Sequence, residues 1–267
     1  MDTASVMRLA LDMAGFDSTP PDSGVWVKGD KIRSALFCID ASAAEVVLAK
    51  ELGYDLLIAH HPVGPARLGF PQVAKRHFDF MVEKGVPRSI ARRESDALVE
   101  KLEVRSHPAN YLQDVEAAKK LKMPFMNIHL PIDQVTRDVV LGEIVRSKAK
   151  TVGGLISSLE KIPEFRKAKT RVELRMGRKG DPLGKWVLVF AAGTNGGYPV
   201  AKAYFDHGVD TVVYLHIEYE ELARLRKECK GNLVILGHMA GDSIGINRFV
   251  DALEAKGVSC DTIGVVR

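Results

Sequence analysis

Short runs of consecutive apolar residues recur along the chain, and most are followed by a segment whose apolar residues return every three or four positions. Apolar runs of four to eight residues are typical of strands covered on both faces, whereas the longer period is typical of amphipathic helices. Single helices between such strands require crossover connections, so the pattern predicts an α/β fold with mainly parallel sheets. The predicted strands are ALFCID (35–40), DLLIAHH (55–61), PFMNIH (124–129), DTVVYLHI (210–217) and NLVILGH (232–238).

Other segments complete the prediction of secondary structure. The N-terminal MDTASVMRLALDMAGF repeats its apolar residues with helical period, so we expect a first helix rather than a cleaved signal peptide. TRVELRMG (170–177) and KWVLVFAAG (185–193) flank the turn sequence RKGDPLG, which predicts a β-hairpin. FPQVAKRHFDFMVEKG (70–85) predicts one helix, and the final CDTIGVV (260–266) predicts an edge strand.

The length of 267 residues suits one large domain or two smaller ones. We predict two packed α/β lobes with mainly parallel sheets, one over residues 1–147 and one over residues 148–267. The candidate seam is SKAKTVGG (147–154), and a single domain over the whole chain is the alternative.

Composition narrows the class of protein. With 46% apolar residues, 27% charged residues and a net charge of +4, the chain is typical of soluble globular proteins. The densest basic stretch (166–178) alternates with apolar residues, which favours a solvated strand face over a nucleic-acid-binding patch. Charges interrupt every long apolar run, so we expect no membrane span. Cys38, Cys229 and Cys260 form no CxxC pair, so we expect a cytoplasmic protein without a thiolate metal site.

Histidines stand where several of the predicted strands end. Open α/β sheets bind ligands at the carboxyl ends of their strands, because the loops there converge. We therefore expect one site that collects the side chains at these ends, which are Asp40, His60, His61, His129, His216 and His238. The other histidines, His77, His107 and His207, fall in predicted helices or loops, where a surface or capping role is expected.

Two of these histidines are each followed by an aspartate four residues later. Asp133 follows His129 in HLPID, and Asp242 follows His238 in HMAGD. In both cases an imidazole closes a strand and a carboxylate opens the next element, so both side chains can face one crevice. Taken singly, Asp133 could be a turn residue, Asp242 could be the N-cap of the last helix, and a lone His129 could be a hydrogen-bonded core residue.

Taken together, these groups predict a metal centre. A closed zinc site needs about four ligands and a catalytic one about three plus water, so five or six groups fit better around two bridged ions. Zinc, iron and manganese all accept imidazole and carboxylate ligands. Neighbouring residues in a strand point to opposite faces, but both rings can turn toward one cluster where the strand ends before Pro62. The predicted ligands are His60, His61, Asp133, His238 and Asp242.

The motifs DLLIAHHPV, NIHLPID and VILGHMAGD, in this order, resemble those of the Nif-three-like proteins, which are often labelled GTP cyclohydrolase I type 2 homologues. LFCIDAS and VFAAGTNGG are similar to further segments of the same family, so the resemblance covers most of the chain. It implies a metal site in the cleft between two α/β lobes, with two ions held by the five predicted ligands and with His129 lining the site. It also implies a homo-oligomer, commonly a toroidal hexamer.

Some positions depart from the family pattern. The last motif usually ends in Glu, whereas Asp242 is one methylene shorter. His216 occupies a place where the family often has an acidic residue, and the segment between His61 and His129 is longer than expected. These differences affect the expected substrate more than the expected metal centre.

Two functional classes follow from the predicted centre. In the first, a metal-dependent hydrolase uses a metal-bridged hydroxide on a small-molecule substrate, with a nucleotide-like compound among the candidates, while His129 or His216 handles protons. The alternative for these two histidines is to orient a carboxylate that binds the metal. The loop AAGTNGGYP (191–199) follows a strand and could cradle a phosphate, although its glycines suit a turn better. In the second class, the chain is a non-catalytic metal-binding or regulatory protein that docks a partner.

Overall fold

A computed structural model describes residues 1–267 and contains twelve helices and nine strands. The helices are α1 (Thr3–Ala14), α2 (Ala43–Glu51), α3 (Ala66–Val73), α4 (Arg76–Glu83), α5 (Arg88–Ser106), α6 (Gln113–Leu121), α7 (Leu130–Ser147), α8 (Val152–Leu159), α9 (Pro163–Lys167), α10 (Gly197–Asp206), α11 (Tyr219–Glu228) and α12 (His238–Glu254). The strands are β1 (Gly24–Val27), β2 (Ser34–Cys38), β3 (Leu56–Ala59), β4 (Phe125–Asn127), β5 (Glu173–Met176), β6 (Trp186–Leu188), β7 (Thr211–Tyr214), β8 (Asn232–Ile235) and β9 (Ser259–Ile263).

Local sequence explains where several helices begin and end. The side chain of Asp2 accepts a hydrogen bond from the backbone N–H of Ser5 at the start of α1, and Gly15 ends that helix with φ of 69°. Helix α2 starts with a capping box, in which Ser42 and Glu45 satisfy each other's backbone N–H groups. The first helix expected from the sequence is thus confirmed.

The structure divides into two compact units, each with its own sheet. The first unit contains residues 1–73, 102–135 and 242–266, and the second contains residues 74–101, 136–241 and 267. Both units are discontinuous along the chain, whereas the domains expected from the sequence, 1–147 and 148–267, are continuous. That division into domains stays a prediction.

The first unit has a five-stranded sheet in the order β1-β4-β3-β2-β9. Strands β4, β3, β2 and β9 are parallel, and β1 is antiparallel to β4. Residues of β2 alternate between two clusters of buried side chains: Ala35 and Phe37 pack with Phe249 of α12, whereas Leu36 and Cys38 pack with Val46 of α2. Both faces of this sheet are therefore covered, which explains why its central strands read as continuous apolar runs.

The second unit has a four-stranded sheet in the order β5-β8-β7-β6, in which β6, β7 and β8 are parallel and β5 is antiparallel to β8. Its core includes Val187, Val212 and Leu233 from the strands, packed with Tyr204 of α10 and Leu225 of α11. The predicted mixed α/β class with two mainly parallel sheets is therefore confirmed.

The predicted hairpin between residues 170–177 and 185–193 is wrong. Its two strands, β5 and β6, lie at opposite edges of their sheet, and β5 pairs with β8 instead. The half-exposed side chains of β5 suit an edge, whereas the apolar β6 gains more by pairing with β7. The segment 70–85 forms parts of two helices rather than one. The edge position of β9 is confirmed, and no helix combines the length and the apolar character needed to cross a membrane.

Candidate metal centre

The carboxyl ends of β2, β3 and β4 place their polar residues side by side, because these strands are parallel neighbours in one sheet. Asp40 follows β2, the pair His60–His61 follows β3, and His129 follows β4. The backbone N–H groups of His60 and His61 still donate to the carbonyls of Cys38 and Ile39, which anchors the pair to the end of β2. In the first unit these residues thus stand at the carboxyl ends of parallel strands, the edge at which open α/β sheets bind ligands.

Three imidazoles lie together at this edge. The ring centroids of His60 and His129 are 4.9 Å apart, those of His60 and His61 are 5.2 Å apart, and those of His61 and His129 are 5.9 Å apart. His60 and His129 are buried, and His61 is half-buried.

Each of these rings has its Nδ1 atom next to an acceptor outside the cluster. Nδ1 of His60 lies 3.1 Å from the carbonyl of Ile128, and Nδ1 of His61 lies 2.7 Å from Asp40. Nδ1 of His129 lies 2.7 Å from Asp22. A carbonyl or an ionised carboxylate only accepts hydrogen bonds, so all three Nδ1 atoms carry a proton and all three Nε2 atoms are left to act as ligands. This arrangement is typical of histidines that bind a metal ion.

Two buried carboxylates face the Nε2 atoms. Oδ1 of Asp133 lies 3.4 Å from Nε2 of His60, and its Oδ2 lies 3.7 Å from Nε2 of His129. Oδ1 of Asp242 lies 3.8 Å from Nε2 of His60, and its Oδ2 lies 3.3 Å from Nε2 of His61. Within the first unit, two groups have candidate ligand atoms within 4.8 Å of one another: His60, His61 and His129, and His60, Asp133 and Asp242.

The helices that follow the strands position both carboxylates. Asp133 lies in the first turn of α7, where its backbone N–H donates to the carbonyl of His129. Asp242 lies in the second turn of α12 and is 1% exposed. The alternatives of a turn residue at Asp133 and an N-cap at Asp242 are therefore wrong, because both helices begin earlier than the sequence pattern suggested.

The electrostatics of the cluster favour a cation. Burial lowers the pKa of His60, but the nearby carboxylates of Asp133 and Asp242 outweigh that effect and raise the pKa to about 10. Nε2 of His60 is nevertheless buried without a hydrogen-bond partner, because both carboxylates are too distant. A buried nitrogen that faces two carboxylates without bonding to either suits a divalent ion between them. Imidazole and carboxylate groups fit zinc, iron or manganese.

Cysteine takes no part in this cluster. Burial raises the pKa of the Cys38 thiol to about 12, so this side chain stays protonated at neutral pH. The structure therefore has clusters of His and Asp that could bind metal ions through nitrogen and oxygen atoms.

His216 and His238 lie at the strand ends of the second unit, after β7 and β8. Their rings stack with centroids 4.9 Å apart and an interplanar angle of 26°. His238 is the exposed first residue of α12, one helical turn before Asp242.

Asn195 defines the tautomer of His216. The Oδ1 atom of Asn195 accepts from the backbone N–H of Gly197, and its Nδ2 atom donates to the carbonyl of His216. The amide is thus oriented from both sides, and its Nδ2 atom lies 3.3 Å from Nδ1 of His216. Nδ1 of His216 therefore accepts a hydrogen bond and Nε2 carries the proton, the opposite of the arrangement at His129.

The remaining predictions for single residues have mixed outcomes. The expected surface role of His77 is wrong, because this residue is fully buried and its Nε2 atom lies 2.9 Å from the carbonyl of Thr194. His207 caps the end of α10, as expected. In the loop 191–199, Gly193, Gly196 and Gly197 have positive φ, which agrees with their expected role in a turn.

Asp22 is the residue that sequence reasoning missed. It precedes β1 in the polar stretch TPPDSG, with no spacing that relates it to any histidine. Only the antiparallel pairing of β1 with β4 brings it next to His129.

Comparison with known proteins shows which family this chain belongs to. The family model for Duf34/NIF3 (NGG1p interacting factor 3) matches residues 7–84. The crystal structure of a NIF3 superfamily protein from Sphaerobacter thermophilus is 44% identical over 99% of this chain and 98% of that chain, with a TM-score of 0.96. This chain belongs to the NIF3 superfamily. The resemblance to the Nif-three-like proteins is thus confirmed, and none of the curated proteins compared with the sequence matches it.

More distant structures share the fold of this NIF3 chain. Reduced HcgD from Methanocaldococcus jannaschii is 14% identical, with a TM-score of 0.62 over 98% of this chain and 97% of that chain. The protein TTHA1606 from Thermus thermophilus is also 14% identical, with a TM-score of 0.57 over the same shares. At such identities the similarity shows the fold alone.

Proposed function

We propose that this NIF3 protein binds two divalent metal ions per chain and uses them as a metal-dependent hydrolase of a small-molecule substrate. The observation that carries the proposal is the convergence of three Nε2 atoms on two buried carboxylates. Zinc, iron and manganese are the candidate ions. The proposed ligands are His60, His61, Asp133, His238 and Asp242.

The orientation of Asp242 supports two ions rather than one. Its Oδ1 faces His60 and its Oδ2 faces His61, so its two oxygens are directed at different imidazoles. His60, His61 and Asp242 would therefore be side chains that hold the two ions. His238 suits a ligand role because it is four residues before Asp242 in α12, where side chains of one helix share a face.

The metal ions, when bound, supply Lewis acidity and lower the pKa of a water molecule toward neutrality. The protein's own histidines handle the protons. His129 offers its Nε2 lone pair as an acceptor, whereas His216 carries a proton on Nε2 and can donate it. A proton acceptor and a proton donor are the two roles used in general acid–base catalysis of hydrolysis.

A nucleotide-like compound is the first candidate substrate, by analogy with the cyclohydrolase label of the Nif-three-like family. We also propose a homo-oligomer, a hexamer in the family pattern, which light scattering on the purified 29.3 kDa chain would detect.

Elemental analysis of the purified protein tests the metal centre. We expect close to two divalent ions per chain, and a loss of most of this metal in H60A and in H238A. H107A is the matched control, because His107 is exposed and lies outside the cluster. Unchanged metal content in H60A would refute the centre.

The enzymatic part needs a separate measurement. The metal-loaded protein is screened against phosphoester, nucleotide and amide substrates, with the chelator-treated protein as the control. Hydrolysis that appears only with metal supports the hydrolase. Full metal occupancy without turnover of any substrate would favour the alternative of a non-catalytic metal-binding or regulatory protein.

A further inference from the structure

Asp22 is a fully buried carboxylate that none of the predicted ligands explains. Its Oδ2 atom lies 2.7 Å from Nδ1 of His129, although 107 positions separate the two residues in the chain. A buried carboxylate loses its hydration, which is unfavourable unless hydrogen bonds or charges replace it. The position of Asp22 therefore needs a physical reason.

Hydrogen bonds with neighbouring groups fix the positions of Asp22 and His129. The Nδ2 atom of Asn127 donates to the backbone carbonyl of Asp22 over 2.8 Å. The hydroxyl of Ser23 accepts from the backbone N–H of His129 over 2.9 Å and lies 3.2 Å from Oδ1 of Asp22, to which it donates. The backbone and the ring of His129 are thus both fixed by residues 22 and 23.

The amide of Asn127 is itself oriented. Its Oδ1 atom accepts from the indole Nε1 of Trp26 over 3.1 Å, so its Nδ2 atom must face Asp22. Asn127, Asp22 and His129 are all buried, and this part of the structure leaves little freedom for another geometry.

We infer that Asp22 is a positioning residue that holds His129 with a proton on Nδ1 and with the Nε2 lone pair directed at Asp133. Nε2 of His129 lies 3.7 Å from Oδ2 of Asp133. The use of that lone pair, as a proton acceptor or as a further ligand, rests on the proposed function. The tautomer itself does not, since it depends only on the protein's own hydrogen bonds.

The pair His61 and Asp40 provides an internal comparison. The contact between them is also 2.7 Å, but the side chain of Asp40 is 85% exposed, whereas that of Asp22 is fully buried. Water can replace Asp40 beside His61, but it cannot reach the buried Nδ1 of His129. We therefore expect that replacing Asp22 strongly changes the state of the His129 ring. The same replacement at Asp40 should change the His61 ring only weakly.

The variant D22N removes the charge of the carboxylate and changes the hydrogen bond that sets the tautomer of His129, while the size of the side chain stays almost the same. Asparagine has almost the same shape, but its amide N–H₂ group can donate to Nδ1 of His129. The ring would then carry its proton on Nε2, and the lone pair that faces Asp133 would be lost. D40N is the control, because it makes the same chemical change at an exposed position.

Imidazole ¹⁵N NMR on the chelator-treated protein tests the inference, with the His129 signals assigned from their absence in H129N. Over a pH series extended until the ring is neutral, we expect the proton of neutral His129 on Nδ1 in the wild type and in D40N, and on Nε2 in D22N. A neutral wild-type ring with its proton on Nε2 would overturn the inference, and this result needs no variant to fold. A folded D22N that keeps the proton on Nδ1 would overturn it as well.

Zinc titration calorimetry adds a second readout. We expect D22N to bind zinc about 10- to 100-fold more weakly than the wild type, which is the usual effect of removing a group that orients a ligand histidine. D40N should weaken zinc binding less than D22N does, because the side chain of Asp40 is 85% exposed and water can take its place beside His61. Equal affinity of D22N and the wild type would restrict His129 to proton handling and would refute a ligand role. A wild type that binds no zinc at all would refute the proposed function while leaving the NMR result intact.

Discussion

Nε2 of His60 and Oδ1 of Asp133 lie 3.4 Å apart in the buried cluster, too far for a good hydrogen bond and close enough to share one cation. In the metal-free protein, that cation is the proton of His60. Burial lowers the pKa of His60, but Asp133 and Asp242 raise it to about 10, so the ring is protonated at pH 7. A metal ion must displace this proton.

Metal affinity should therefore rise with pH. Because the pKa of His60 lies near 10, the affinity should increase by nearly tenfold per pH unit from pH 7 to pH 9. Calorimetry in buffers of different ionisation enthalpy should show that about one proton leaves the His60 ring for each protein chain whose cluster binds metal. An affinity that stays constant over these two pH units would contradict the assignment of His60 as a ligand.

Asp242→Ala should abolish hydrolysis while the protein stays soluble. The change removes both oxygens that face His60 and His61, so the loss should exceed the 10- to 100-fold effect of groups that only orient ligands. Steady-state rates and metal content are measured together. A variant that keeps the wild-type rate would show that Asp242 has no role in the chemistry.

Asp242→Glu restores the residue that is usual in the family. The added methylene moves the carboxylate toward His60 and His61, and we expect the variant to retain more metal and more activity than D242A or D242N. D242N is the matched control, since it keeps the size of the side chain and removes the charge. If D242E behaves like D242N, the cluster requires the shorter side chain.

His77 should make the stability of the protein depend on pH. Burial lowers the pKa of His77 to about 4, although its contact with the carbonyl of Thr194 acts in the opposite direction. The folded pKa lies below the unfolded value near 6.5, so this contribution is fully present above pH 6.5 and is lost as pH falls toward 4. The expected loss is roughly 3 kcal/mol in total.

The variant H77Q isolates this effect. Glutamine can still donate to Thr194 but does not titrate. Denaturant unfolding at pH 7 and pH 5 should show a smaller decrease in the free energy of unfolding for H77Q than for the wild type. An equal decrease in both proteins would assign the pH dependence to other groups.

Phe249 connects the core of the first unit to the helix that carries Asp242. Its ring meets Phe37 of β2 edge-on, with centroids 6.0 Å apart, and both side chains are fully buried. F249A should lower the free energy of unfolding by about 3 to 5 kcal/mol, because it removes this contact and leaves a cavity. F249L is the matched control and should cost less. Thermal unfolding of the two variants tests this packing role. If F249A were as stable as the wild type, the Phe249 ring would have no such role.

Several features of this protein were predictable from the sequence. Continuous apolar runs with intervening helical periods indicated covered parallel strands, and both sheets agree with that prediction. The positions of His60, His61 and His129 directly after apolar runs indicated a shared edge, because parallel strands have their carboxyl ends on the same side. These conclusions depend only on local periodicity and on the geometry of parallel sheets.

Other features depended on contacts between distant segments. β5 pairs with β8, and β6, its neighbour in the sequence, pairs with β7, because these pairings depend on contacts with distant strands that no local pattern states. The early starts of α7 and α12 turned Asp133 and Asp242 into helical residues whose side chains face the imidazoles. Asp22 meets His129 only because β1 pairs with β4. Sequence alone thus determined which side chains stand at the strand ends, whereas the tertiary structure decided their partners, since hydrogen bonds and burial act between residues far apart in the chain.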